Sequence, residues 1–82
     1  MEQLALYYYE TCPYCVRVLD VIQELGLDVE LRNIIHEPAY RDELVAARGR
    51  STVPVLRLTA ENKDQWMPES RDIIRYLRDH VR

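Results

Sequence analysis

The sequence predicts an α/β domain of element order β-α-β-α-β-β-α, a four-stranded mixed sheet with three helices on its faces. Three features carry that expectation. Leu4 to Tyr9 is an apolar and aromatic run suited to a buried strand. Three later segments repeat apolar residues at helical spacing. The last two strand segments lie close together, which implies an antiparallel pair.

The first strand is interrupted by Thr11-Cys12-Pro13, after which Val16, Leu19, Val21, Ile22 and Leu25 recur with helical spacing. Pro13 fits the first turn of that helix, where its missing N–H has no intrahelical role. Gly26 offers a C-terminal stop. Val29 to Ile35 reads as a second strand, with Val29 and Leu31 alternating against Glu30 and Arg32. Glu37-Pro38 starts another helix, Ala39 to Arg48, on the pattern Tyr40, Leu44, Val45 and Arg48, and Gly49 ends it. Val53 to Leu58 begins a third strand, Ala60 to Asp64 forms a polar turn, and Gln65-Trp66-Met67 is a short fourth strand. Ser70 is placed to cap a last helix with Ile73, Ile74, Leu77 and Val81 on its apolar side. The two strand–helix–strand crossings imply parallel neighbours. Strand order is not readable from periodicity.

A chain of 82 residues is long enough for one hydrophobic core, so residues 1–82 are expected to form a single domain. Hydrophobic residues make up 48% of it, which argues against disorder. With no Phe, six Tyr and one Trp must help Leu, Val and Ile fill the core. A net charge of -3 and scattered basic residues argue against nucleic acid or an anionic membrane as partner. No apolar run approaches the length of a membrane span. The start, Met1-Glu2-Gln3-Leu4, lacks the pattern of a secretory signal, so a cytoplasmic location is expected.

The only two cysteines lie in Cys12-Pro13-Tyr14-Cys15. A disulfide-stabilised secreted domain uses more cysteines and closes longer loops. Two thiols also make a poor structural zinc site, because neither His36 nor His80 follows finger spacing. No metal is expected. Redox chemistry fits the pair better than two small buried hydrophobes would, given its place at a helix start. Cys12 precedes the first helical turn, whose unpaired N–H groups and dipole favour a thiolate, so it is the expected attacking sulfur. Cys15 lies within the same turn and can attack a mixed disulfide formed on Cys12. Thr11 is a candidate to tune the turn through a side-chain hydrogen bond.

Three segments bear a family resemblance: Tyr7 to Cys15 (YYYETCPYC), Arg50 to Pro54 (RSTVP), and Glu69-Ser70 before the last helix. Through them the chain resembles the thioredoxin fold, and within it a small dithiol glutaredoxin, across nearly its whole length. CPYC at a strand-to-helix junction, followed by TVP, is the specific part of the match. Two positions depart. Tyr9 stands near the place of a lysine, and Met67-Pro68-Glu69-Ser70-Arg71-Asp72 replaces a Gly-Gly-acidic segment. The Pro-Glu-Ser pattern is similar to the glutathione-binding half of glutathione transferases.

The resemblance implies a glutathione-dependent thiol–disulfide oxidoreductase acting on protein disulfides and protein–glutathione mixed disulfides. Glutathione would be a cosubstrate, no cofactor would be tightly bound, and the protein would be a monomer. Tyr14 would border the glutathione groove, or only shield the cysteines from water. The resemblance also implies a cis peptide at Val53-Pro54 beside Cys12, turning the Val53 N–H and C=O toward glutathione as a short added strand. The alternative is a trans proline that merely starts the strand. The Ser70 hydroxyl and free N–H groups around Ser70 and Arg71 would hold the γ-glutamyl carboxylate, with Glu69 facing its ammonium group. Asp72 is a second acidic candidate, and simple helix capping is the alternative use of Ser70. Among Arg41, Arg48 and Arg50, Arg50 is chosen for the glycine-end carboxylate because it lies just before the Val53-Pro54 turn. Two other functions are weighed: a thioredoxin-like reductase recycled by a protein reductase, and a module that holds an iron–sulfur cluster with glutathione between two subunits.

Overall fold

Alternation along the first strand decides the layering. In the computed structural model, which describes residues 2–80, β1 (Glu2–Tyr8) lies inside a four-stranded sheet of order β2-β1-β3-β4. It pairs in parallel with β2 (Glu30–Asn33), as the first crossing predicts, but antiparallel with β3 (Val55–Ala60). β3 lies beside β1 and runs opposite to β2, so the second crossing does not give the parallel neighbour expected of it; β3 pairs antiparallel with β4 (Lys63–Met67). Three helices complete the order, α1 (Pro13–Leu25), α2 (Pro38–Arg48) and α3 (Ser70–His80). This is the thioredoxin fold, with its β-α-β-α-β-β-α topology.

Successive β1 side chains point to opposite faces. Leu4 and Leu6 join Leu56 and Leu58 of β3, and Val18, Val21 and Ile22 of α1 and Ile73 and Leu77 of α3 cover them. Ala5 and Tyr7 face the other way, where Val55, Ile34 and Leu44 of α2 form a second cluster. Both faces of β1 are therefore covered, which explains a continuous apolar run in place of an alternating one. The β4 edge exposes Lys63, Asp64 and Gln65, charged and polar residues that discourage pairing with another chain.

Several element ends differ from expectation, each for a local reason. β2 stops at Asn33 because its side-chain oxygen accepts the N–H groups of Ile35 (2.9 Å) and His36 (3.1 Å), turning the chain out of the ladder. β3 begins at Val55, after a proline that has no N–H to give. The β3–β4 turn is only Glu61-Asn62, with Glu61 at φ 57, so β3 ends two residues later and β4 starts two residues earlier than expected. Thr59 and Asp64 are direct partners across this hairpin, and Thr59 Oγ1 donates to Asp64 Oδ1 at 2.8 Å. Arg57 Nη2 meets the other carboxylate oxygen at 3.0 Å. Those contacts fix the register without an Asn-Gly turn.

Gly26 (φ 61) and Gly49 (φ 76) stop α1 and α2 in the left-handed region that L side chains avoid. The start of α3 corrects one detail. Ser70 is the first helical residue and not the cap, because the Glu69 carbonyl accepts the Ile73 N–H at 2.9 Å. Val81, expected on the apolar side of α3, lies outside the described residues. Among the described residues, no helix is long and apolar enough to cross a membrane.

Leu44 is the fully buried residue by which α2 reaches the second cluster. Leu44→Ala should cost about 2–5 kcal/mol in urea unfolding. A loss below about 1 kcal/mol would mean that burial of Leu44 does not hold α2 on the sheet.

Candidate functional site

The end of β1 delivers the cysteines. The Tyr9 carbonyl accepts the Cys12 N–H at 3.3 Å, and Cys12 takes an extended conformation as the N-cap of α1. Its carbonyl accepts the Val16 N–H at 3.0 Å, which starts the helical ladder. The Cys12 sulfur occupies the role usually filled by a Ser or Asp oxygen, accepting the Cys15 N–H at 3.3 Å. No acidic residue lies in the first turn of α1 to oppose negative charge there. Pro13 fills the first helical position, as expected.

The two thiols are free and differ in surroundings. Cys12 retains 5% exposure and Cys15 none. Burial pushes the Cys15 thiol up to about 12; the adjacent Cys12 sulfur adds to the rise, and a backbone hydrogen bond at Tyr9 offsets only part of it. Cys15 is thus held as a neutral thiol. Across the turn, the Val53-Pro54 peptide is cis, and the Val53 carbonyl lies 4.0 Å from Cys12 Sγ. Val53 is half-buried and Pro54 buried.

A groove of about 560 Å³ lies between the first turns of α1 and α3, and neither cysteine lines it. Tyr14 forms one wall and is 58% exposed. Glu69, Ser70, Arg71 and Asp72 form the other at the start of α3, where the first-turn N–H groups have no intrahelical acceptor. The arrangement offers backbone donors, a hydroxyl, two carboxylates and an aromatic face to one ligand. The site thereby brings Tyr14, Glu69 and Ser70 together, and Cys12 with Val53.

Arg50 is not brought in. It is exposed, makes no ion pair among the described residues, and does not line the groove. Arg41 is exposed on α2, while Arg48 is half-buried and its Nε has no hydrogen-bond partner among the described residues. Thr11 is exposed and makes no side-chain hydrogen bond among the described residues; the Cys12 sulfur organises the turn instead. Tyr9 contributes its carbonyl to the Cys12 turn and its ring to the second cluster. Sequence reasoning missed Arg17, whose guanidinium carbon lies 6.0 Å from the Tyr14 ring centroid and which lines the same groove. Its spacing of three from Tyr14 on a helix was the available signal. No group of three His, Cys, Asp or Glu gathers to hold a metal ion among the described residues.

Comparison with known proteins adds independent information. Residues 6–82 match the family described as glutathione S-transferase, N-terminal domain. Glutaredoxin 3 of Escherichia coli K12 is 32% identical over 62 residues, covering 76% of this chain and 75% of that protein. Glutaredoxin 2 of the same organism is 30% identical over 74 residues, covering 90% of this chain. This chain spans about a third of that relative's length, 32%. Among solved structures, maleylacetoacetate isomerase from Anaeromyxobacter dehalogenans superposes with a TM-score of 0.72 at 24% identity, covering 98% of this chain and 36% of the isomerase. At that identity it speaks to the fold alone.

The asymmetry of the two thiols has a direct readout. On site-resolved alkylation with iodoacetamide, Cys12 should be modified first at neutral pH. Cys15 should lag, its rate rising about tenfold per pH unit toward its thiolate range. Preferential labelling of Cys15 near pH 7 would contradict the burial that holds it protonated.

Proposed function

Since the chain belongs to the glutathione S-transferase N-terminal-domain family, in a glutaredoxin-like form, we propose that it is a glutathione-dependent thiol–disulfide oxidoreductase. Its substrates are protein–glutathione mixed disulfides and protein disulfides, and it works as a cytoplasmic monomer without nucleic acid or membrane. One observation carries the proposal. A cysteine sulfur caps a helix 4.0 Å from the Val53 carbonyl, two residues before the tyrosine that walls a polar groove.

Cys12 is the nucleophile. Its thiolate attacks the glutathione sulfur of a mixed disulfide, the old S–S bond breaks, and the departing protein thiolate takes a proton from solvent. A second glutathione thiolate then attacks the Cys12–glutathione disulfide, which releases oxidised glutathione and regenerates the Cys12 thiolate. Each step exchanges one S–S bond for another. For a protein disulfide, Cys15 resolves the mixed disulfide on Cys12 and its proton goes to the leaving thiolate. Two electrons have then passed from the dithiol to the substrate, leaving a Cys12–Cys15 disulfide that glutathione reduces.

The position of Cys15 makes it the second thiol to act. While Cys12 is a free sulfur, its presence helps to keep Cys15 protonated. Once Cys12 is tied up in a mixed disulfide, that contribution is lost and burial remains.

Glutathione lies extended in the groove. Its cysteine backbone pairs with that of Val53 as an added strand, and Pro54 carries that segment past Cys12. Its γ-glutamyl carboxylate meets the Ser70 hydroxyl and the first N–H groups of α3, with Glu69 opposite the ammonium. Tyr14 flanks the peptide.

Two experiments test this assignment. Cys12→Ser should abolish turnover of a glutathione-linked peptide, whereas Cys15→Ser should keep appreciable turnover and lose internal disulfide formation. Activity surviving in Cys12→Ser would reverse the roles. Ser70→Asp tests the γ-glutamyl pocket without a large change in volume. It places a negative charge against the carboxylate of glutathione, so calorimetry should show weakened binding with Cys12 alkylation intact. Equal binding in a folded Ser70→Asp protein would leave Ser70 a purely structural role.

A further inference from the structure

Tyr7 is fully buried, yet its phenol oxygen sits in a charged cluster away from the cysteines. Its O–H donates to Glu43 Oε1 at 2.7 Å. Arg32 Nη1 donates to the phenol oxygen and to the same Glu43 oxygen, each at 2.8 Å, and Arg57 Nη1 reaches the phenol at 3.4 Å. Arg32 also pairs with Glu30, and Arg57 with Asp64. One hydroxyl thus links β1, β2, β3 and α2, and through Asp64 also β4. Burial and the Glu43 acceptor raise the Tyr7 phenol, against the pull of Arg57 and Arg32, so it remains a donor at neutral pH.

Ion pairs as exposed as Glu43 and Asp64 (side chains 44% and 41%) contribute little stability. Geometry is what such a cluster can fix. The Cys12 turn meets the end of β1 and the Val53 carbonyl, Val53 is reached from α2 on one side and β3 on the other, and the Tyr7 hydroxyl is tied to all three elements. Tyr7 lies on the strand that leads to Tyr9, whose carbonyl holds the Cys12 N–H. It is the direct partner of Val55, next to Pro54 and Val53. Its acceptor Glu43 belongs to α2, which leads through Gly49 and residues 50–52 to Val53. Val53 also packs on the cluster that contains Tyr7 and Leu44.

We propose that the Tyr7 hydroxyl, with Glu43 and Arg32, is a positioning clasp that sets the Val53 backbone against the Cys12 turn. In that place it governs how well a glutathione-linked substrate is seated, without touching the substrate. This rests on the glutathione reading of the groove given above.

Tyr7→Phe keeps the ring, including its packing against Trp66, and deletes only the hydroxyl. The KM for a glutathione-linked peptide should rise roughly tenfold, as misplaced binding groups do. The kcat and the rate of Cys12 alkylation should stay within about twofold, because the chemistry is untouched. Glu43→Gln retains an acceptor oxygen for the phenol and should stay near the parent KM. A second arm uses no glutathione. In amide NMR spectra of the reduced protein, Tyr7→Phe should shift the Val53 and Cys12 signals while leaving Ile22 and Leu77, in the opposite core, in place. Unmoved Val53 and Cys12 signals, or an unchanged KM in the folded variant, would overturn the clasp. Failure of the parent protein to turn over the glutathione-linked peptide would instead overturn the proposed function, and the NMR arm would then decide the clasp by itself. If Tyr7→Phe does not fold, Glu43→Ala removes the same acceptor from an exposed position and is judged by the same outcomes.

Discussion

A strand buried on both faces has no side on which a polar residue meets water, and β1 is such a strand from Leu4 to Tyr7. Everything else in the molecule is arranged around meeting that demand. α1 and α3 cover one face and α2 the other, with β2 and β3 satisfying the backbone on either side. The same strand then runs straight into the cysteine turn. The position of Cys12 is therefore inherited from the most constrained part of the chain, and rigid elements hold a reactive group more closely than a free loop would.

Two sulfurs three residues apart would be nearly equivalent in an unfolded chain. The helix start separates them. The first sulfur stands at the cap, where N–H groups are unpaired, and the second is turned into the core, where its charge would be costly. Sequence order alone thus decides which thiol caps the helix and which is buried beneath it, once the helix begins at Pro13. Across from the first sulfur lies the Val53 carbonyl, so a sulfur and a backbone oxygen face each other across a short gap.

Most of this architecture was legible because it depends on periodicity and on residues with strong conformational habits. Pro13, Gly26 and Gly49 marked helix ends correctly, and the run from Leu4 marked the central strand. Element ends that depended on side-chain contacts were not legible. Nothing local announces that Asn33 will turn to its own following N–H groups, or that Thr59, Arg57 and Asp64 will lock a two-residue hairpin. The site divides similarly. The placement of Cys12 and Cys15 at a helix start was readable from the motif, and that of Val53-Pro54 beside them from the family resemblance, whereas Arg17 emerged only when the face it shares with Tyr14 was seen. Arg50 illustrates the converse, since nearness in sequence to the Val53-Pro54 turn did not bring it into the groove.

The chain has one tryptophan, and its placement makes the two layers optically distinct. The Trp66 ring lies 5.4 Å from that of Tyr7, tilted by 37°, with the Arg57 guanidinium 4.9 Å from its centroid. All of these groups belong to the α2 side of the sheet. Its fluorescence is therefore a local gauge of that side: loosening of α2 would change the indole's surroundings and its energy transfer from Tyr7 while the helical content of α1 and α3 still stood. Comparing emission with far-ultraviolet dichroism during unfolding separates the layer that supports Val53 from the layer that carries the cysteine helix, without adding a label.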